Sequence, residues 1–333
     1  MDGMKAAYIE KTGTPEVIQY GDLPVPEIKP HEVLVKVLAV SVNPIDTYIR
    51  NGANYWPLPQ PFIIGCDLAG AIVAVGSDVK NWRVGTRVWG SNQGLLGRQG
   101  TFAEFAAVDP QWLYPTPANV SDEAAAACAL VGITAHLGLF AHGHLKAGET
   151  IFVRGGTGGV GAMVLQMGRA IGAKVITTAG SAEKAERCRQ LGADHVIEYR
   201  TCDWGQELMR LAPQGVDLFW ETLREPDFDS AVAAMAPRGR MILMAGRDAR
   251  PPFPVGPFYV KGCSLHGFAM FKATAAEQAI AATEINDWLS RGAIGACIDR
   301  VLPLADAATA HALQEANTVR KEGNLAGKIV LKP

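Results

Sequence analysis

The spacing of apolar positions changes along the chain. In Glu32-Val33-Leu34-Val35-Lys36-Val37, residues Val33, Val35 and Val37 fall on one face, the two-residue repeat of a strand. Further β-prone runs at 71–75 and 84–89 are divided by turns containing glycine and proline, so residues 1–110 read as β-rich. The character changes near residue 121. Ser121 stands before Asp122-Glu123 and an alanine-rich segment, an N-cap followed by acidic first-turn residues. From 149 to 268 short apolar runs alternate with amphipathic ones. Ile151-Phe152-Val153 predicts a strand, and 161–170 a helix with Val160, Met163, Met167 and Ile171 on one side. A strand is expected at 174–178 and a helix at 182–191. Apolar runs at 216–220 and 241–245 enclose a helical stretch at 228–235. Repeated strand–helix–strand units imply a parallel sheet covered on both faces. After 270 an alanine-rich helix is expected over 275–291, capped by Thr274 with Glu277 three residues on, and the chain closes on Lys328-Ile329-Val330-Leu331.

A length of 333 residues favours two domains, because single cores stop growing near ~250–300 residues. Hydrophobic residues make up 48% and charged residues 19%, the balance of a soluble globular protein. A net charge of −2 without a basic block gives no electrostatic case for nucleic acid or an anionic membrane. Six cysteines stand at 66, 128, 188, 202, 263 and 297 without a CxxC pair, which reads as reduced thiols in a cytoplasmic setting. The start, Met1-Asp2-Gly3-Met4-Lys5, lacks the basic and apolar regions of a signal peptide. Residues 124–141 carry no formal charge and are long enough to span a bilayer. They are mostly alanine and glycine, interrupted by Thr134 and His136, and such small residues supply little transfer energy. A buried helix between domains is the expectation.

The strongest chemical signal is Val153-Arg154-Gly155-Gly156-Thr157-Gly158-Gly159-Val160-Gly161. It leaves an apolar strand, opens an amphipathic helix and is followed by a second strand, the context of a dinucleotide turn. Gly155, Gly156, Gly158, Gly159, Val160 and Gly161 are the expected cradle. Positions without side chains let backbone N–H groups approach a pyrophosphate at the positive end of a helix. An NAD site usually ends the second strand in Asp or Glu, for the ribose 2′-hydroxyl. Here the residues are Thr177-Thr178-Ala179-Gly180-Ser181, with no acid to repel a 2′-phosphate. Ser181 can hydrogen-bond that phosphate and Lys184 can supply a point charge; a plain N-cap and a solvated helix face are the competing readings.

Several blocks together resemble the medium-chain dehydrogenase/reductase superfamily, and within it the zinc-free quinone oxidoreductases of the zeta-crystallin type. They are Met4-Lys5-Ala6, Val42-Asn43-Pro44-Ile45-Asp46-Thr47-Tyr48-Ile49-Arg50-Asn51-Gly52, Gly65-Cys66-Asp67-Leu68-Ala69-Gly70, Gly100-Thr101-Phe102-Ala103-Glu104-Phe105, Gly132-Ile133-Thr134-Ala135, the glycine turn and Gly327-Lys328-Ile329-Val330-Leu331. The resemblance implies an α/β protein: a β-rich GroES-like catalytic domain over 1–131 and 269–333, with a Rossmann doubly wound parallel sheet over 132–268. It implies NADPH in the cleft between the domains, Ser181, Lys184 and Tyr199 on the 2′-phosphate, and Thr134 on the nicotinamide ribose. It also implies a homodimer joined across an exposed strand at 263–267.

Zinc-using relatives build their metal site from a Cys and a His-Glu pair. Asn43 occupies the Cys position here, Cys66-Asp67 the His-Glu position, and Leu130 the third position, with Cys128 two residues out of register. A catalytic zinc needs about three protein ligands, so none is expected. His136, His142 and His144 lack a partnering acid or Cys in sequence and read as packed or solvent-facing. Without a Lewis acid, the charge that develops on hydride transfer falls to hydrogen-bond donors or water. The resemblance places Asn43 and Tyr48 beside the nicotinamide, and similar enoyl reductases carry a proton-donating Tyr near Tyr55. Asp46, in the same block, reads equally as a structural or a catalytic carboxylate. The expected reaction is NADPH-dependent reduction of a quinone or enone. The alternatives are an enoyl or alkenal double-bond reductase, an NADPH-binding protein with little turnover and, least well matched, a zinc alcohol dehydrogenase.

Overall fold

β-branched and alternating runs form strands early in the chain, and amphipathic runs become the helices that cover them later. The computed structural model describes residues 3–53, 56–320, 322–323 and 325–333. In chain order, β1 (Met4–Ile9), β2 (Gln19–Leu23) and β3 (Val33–Ser41) precede the short helix α1 (Pro44–Arg50). Then come β4 (Phe62–Ile63), β5 (Leu68–Val75), β6 (Arg87–Gly90), β7 (Phe105–Val108), β8 (Leu113–Pro115) and helix α2 (Asp122–His136). The next part alternates: β9 (Thr150–Val153), α3 (Gly159–Ala170), β10 (Lys174–Ala179), α4 (Ala182–Gln190), β11 (His195–Glu198) and α5 (Trp204–Leu211). It continues with β12 (Val216–Glu221), α6 (Phe228–Ala234), β13 (Met235–Leu243), α7 (Val255–Val260) and β14 (Ser264–Gly267). Helix α8 (Ala275–Ser290), β15 (Ile298–Pro303), α9 (Ala307–Thr318) and β16 (Lys328–Lys332) close the chain.

The chain divides into two compact units, one of residues 1–130, 274–290 and 295–333, the other of 131–273 and 291–294. In the first, β3 is the organising strand. Its Val35, Val37 and Ala39 are buried while Lys36 and Leu38 face out, as the two-residue repeat requires. It pairs antiparallel with β5, β7 and β16, within the order β15-β16-β3-β5-β6-β8. The closing strand β16 therefore lies beside Val40 and Ser41, at the end of β3 that leads into α1. Helix α8 is capped as expected, with Glu277 N donating to Thr274 Oγ1 (3.2 Å) and Thr274 N donating to Glu277 Oε2 (2.7 Å).

The second unit is a six-stranded parallel sheet in the order β11-β10-β9-β12-β13-β14. The order reverses between β9 and β12, the position where doubly wound sheets open a crevice at the carboxyl ends of their strands. Phe152, Ile176, Phe219 and Met241 are buried in its core, and Trp204 stacks on Phe152 at 5.6 Å between ring centroids. Strand β13 starts earlier than the apolar run at 241–245 indicated. Pro237 and Gly239 interrupt the hydrophobic pattern, but the backbone pairs Val216 with Met235 and shifts register to pair Leu218 with Arg240. The uncharged run at 124–141 forms α2 and a π-helical extension, Leu137–His142. It is the one helical stretch among the described residues long and apolar enough to cross a membrane, and it is 78% buried.

Candidate functional site

The glycine turn joins β9 to α3 at the point where strand order reverses. Gly155 has φ +83°, a left-handed conformation that favours glycine. A Cβ on Gly156 would lie 2.5 Å from Thr177 Oγ1, and one on Gly161 only 2.2 Å from the carbonyl oxygen of Gly155. Both positions must be bare for the turn to fold back on its helix. Gly158 is the N-cap of α3, so the amides of Gly159, Val160 and Gly161 open the helix without intrahelical acceptors. The turn is tied down by Gly155 N donating to Thr178 Oγ1 (3.3 Å) and Thr177 Oγ1 donating to Val153 O (2.7 Å). These amides, at the positive end of a helix, form a cradle suited to a diphosphate.

Beside it, the structure brings three of the expected residues to the carboxyl end of β10. Ser181 caps α4, its Oγ accepting from Lys184 N at 3.3 Å. The Tyr199 hydroxyl lies over Gly180, where a Cβ would sit 2.6 Å from it. β10 itself ends in Ala179, without an acid. Thr134, on α2, is 3% exposed, and its Oγ1 is buried without a hydrogen-bond partner among the described residues, a donor left for a ligand or water.

Sequence reasoning missed a second feature of this crevice. Arg154, between the apolar strand and the first glycine, lies over the Trp204 ring at 4.3 Å and 3.8 Å from the buried Glu221 at the end of β12. Thr222 Oγ1 donates to Arg154 O (2.6 Å), so the ends of β9 and β12 are fastened together beneath the turn. Burial pushes the Glu221 carboxyl up and the Arg154 guanidinium down from their ordinary values. A charged residue at the end of an otherwise apolar strand was the available signal.

The remaining expected residues meet in the first unit, around a buried polar cage. Asn43 is the N-cap of α1 in a reciprocal capping box. Its backbone N donates to Asp46 Oδ2 (2.8 Å), with Pro44 at the first helical position. The same pattern, Asn-Pro-x-Asp, was in the sequence and went unread as a helix start. Asn43 is fully buried. Its Nδ2 donates to Asp67 Oδ2 (2.8 Å) and lies 3.4 Å from Ser41 O, and its Oδ1 accepts from Lys328 Nζ. Asp67 accepts further from Ser41 Oγ (2.7 Å) and from Leu130 N (3.1 Å). Lys328 Nζ also donates to Val42 O (2.7 Å). The Cys66 thiol is raised well above its ordinary value by burial and by Asp46, against which it lies. Burial pushes Asp46 up to about 7, its contact with Cys66 opposing the shift and Asp67 adding to it. Burial lowers Lys328, with Asp67 and Asp46 opposing the shift. Tyr48 is half-buried on α1, carried by the helix that this cage anchors. Tyr55 lies outside the described residues.

The positions that would have to ligate a metal are therefore brought together, but their donor atoms are occupied. Asn43 Oδ1 faces an ammonium, both Asp67 oxygens accept hydrogen bonds, and Leu130 contributes only a backbone N–H. Zinc needs about three ligands with free lone pairs. The cage does not fit zinc. No group of three or more His, Cys, Asp or Glu side chains that could hold a metal occurs among the described residues.

Two families match the chain. Residues 29–118 match the family described as alcohol dehydrogenase GroES-like domain, and residues 159–284 the family described as zinc-binding dehydrogenase. A quinone oxidoreductase from Sus scrofa is 32% identical over 312 residues, covering 92% of this chain and 93% of that one. An NADPH-dependent alkenal/one oxidoreductase from Arabidopsis thaliana is 34% identical over 257 residues, covering 75% of this chain and 64% of the other. Among solved structures, a mycobacterial protein complexed with NADPH has 32% identity and a TM-score of 0.85, covering 99% of this chain and 100% of that one. A protein described as an NAD-dependent alcohol dehydrogenase has 29% identity and a TM-score of 0.89 over the same shares of both chains.

Proposed function

Since the chain belongs to the medium-chain dehydrogenase/reductase superfamily, we propose that it uses NADPH, without a metal, to reduce quinones or related conjugated carbonyls. The observation that carries this reading is the bare glycine turn at the sheet's switch point, beside a β10 end that offers Ser181, Lys184 and Tyr199 in place of a carboxylate. The amides of Gly159, Val160 and Gly161, approached over the bare turn at 155–158, hold the pyrophosphate. Ser181 Oγ, the Lys184 ammonium and the Tyr199 hydroxyl hold the 2′-phosphate, and the unpartnered Thr134 Oγ1 takes a hydrogen bond at the nicotinamide ribose. NADPH, when bound, supplies the hydride.

Tyr48 is the donor to the oxygen on which negative charge develops. Asn43, with its amide hydrogens engaged in the cage, acts by fixing the start of α1 and so the position of Tyr48. A hydroquinone anion is intrinsically stable, so a quinone acceptor asks for no dedicated acid beyond this. The Asn43 amide oxygen is taken by Lys328 and the Asp67 oxygens by Ser41, Asn43 and Leu130, which supports the metal-free part of the proposal. β14 ends the sheet order and its Leu265 is 38% exposed, an edge suited to pairing with a second copy. No disulfide joins the cysteines among the described residues, which supports a reducing, cytoplasmic setting.

The name of the Arabidopsis relative favours one alternative, reduction of an alkenal or enone double bond with Tyr55 as proton donor. NADPH consumption by one protein batch, compared across quinones, enones and enoyl thioesters, separates these readings. Fastest turnover with quinones is expected. Faster turnover with enones would replace the first reading by the second, and nucleotide binding without turnover on any acceptor would leave a binding protein.

A further inference from the structure

The cage in the first unit contains a buried lysine that the hydride chemistry does not use. Lys328 is 5% exposed, lies on β16, and reaches the start of α1 because β16 pairs with the end of β3. Its Nζ donates to Val42 O and Asn43 Oδ1. Asn43 in turn donates to Asp67, whose oxygens take hydrogen bonds from Ser41 and Leu130 as well. Burial raises the Asp67 pKa, while Lys328 and these hydrogen bonds oppose the shift and favour the ionised form, and a buried ionised carboxylate needs a nearby opposite charge. Lys328 supplies it, one amide away.

We propose that the Lys328 ammonium is the resident cation of this cage, standing in for a metal's charge and keeping divalent metal out. The same contacts fix the Asn43 amide in one orientation: its oxygen is turned to Lys328 and its nitrogen to Asp67. A divalent ion entering among Asn43, Cys66 and Asp67 would have to displace those bonds and sit beside a fixed positive charge. Removing the ammonium frees Asn43 Oδ1 and takes away the positive charge that acts on Asp67, Asp46 and Cys66, the two obstacles to a thiophilic cation such as cobalt. The inference rests on the metal-free part of the proposed function and is independent of which acceptor is reduced.

The test is Co2+ uptake by equilibrium dialysis, with the thiolate-to-cobalt absorption band as a second readout. The native chain and Lys328→Arg are expected to take up no cobalt at the cage. Lys328→Ala is expected to take up about one ion per chain, with a band that disappears when Cys66→Ser is added. Stoichiometric cobalt in the native chain with a Cys66-dependent band overturns both this inference and the metal-free reading. No uptake by native or by folded Lys328→Ala overturns the role of Lys328 alone. If Lys328→Ala does not fold, the expected result is its refolding in propylammonium but not in propanol; no rescue by the cation overturns the inference.

Discussion

His311, on α9, is fully buried in the first unit, edge-on to Phe102 at 6.0 Å between ring centroids. Among the described residues neither of its ring nitrogens has a hydrogen-bond partner, and burial, with a smaller push from the Arg50 charge, lowers its pKa to about 3. The unfolded chain titrates this group near ~6.5. Below that pH the unfolded state takes up a proton that the folded state refuses, so the stability tied to a neutral His311 is complete above ~6.5 and drains as pH falls toward 3. With those two values the loss is about 2 kcal/mol at pH 5 and about 4 kcal/mol at pH 3. His311→Leu keeps a side chain of similar bulk and removes the titration. Urea-unfolding midpoints of native and variant at pH 7 and pH 5 isolate the effect, because every other titrating group is common to both. The variant should equal or exceed the native protein at pH 7, where two partnerless nitrogens are no longer buried, and should lead it by about 2 kcal/mol more at pH 5. Parallel loss in the two proteins between pH 7 and pH 5 would refute the argument.

Ser181→Ala with Lys184→Ala should weaken NADPH binding by about tenfold to a hundredfold and NADH hardly at all, measured by fluorescence titration; equal losses would remove both residues from the 2′-phosphate. Gly161→Ala places a methyl against the Gly155 carbonyl and should weaken NADPH and NADH alike, with thermal stability reporting any general unfolding. Tyr48→Phe should lower kcat with enones more than with quinones and leave the KM for NADPH unchanged; an unchanged kcat on both acceptors would exclude it as the donor. Glu221→Gln removes the charge opposite Arg154 and should loosen the glycine turn, raising the KM for NADPH severalfold; no change would leave the pair with a purely structural role.

The parallel sheet, its glycine turn and the acid-free strand end were legible because each depends on local pattern: periodicity, turn residues and the type of residue after a strand. Helix α1 was also written locally, in the Asn43–Asp46 capping box, but it follows a strand and is too short to show a hydrophobic period. The cage around Asn43 was half legible. The resemblance aligned Asn43, Cys66 and Asp67, whereas Lys328 enters through a pairing between β16 and β3 that spans nearly the whole chain. No local rule marks that lysine as buried, since lysine in a closing strand ordinarily faces water. The early start of β13 was hidden for a similar reason, its apolar pattern being broken by Pro237 and Gly239 while its register is set by β12.

Hydrogen exchange along the backbone, read by mass spectrometry with and without NADPH, bears on the central claim most directly. Saturating NADPH should slow exchange of the amides at 155–161 and at the start of α4. Protection confined to other segments, or none at the glycine turn at a concentration where the nucleotide is bound, would contradict the account.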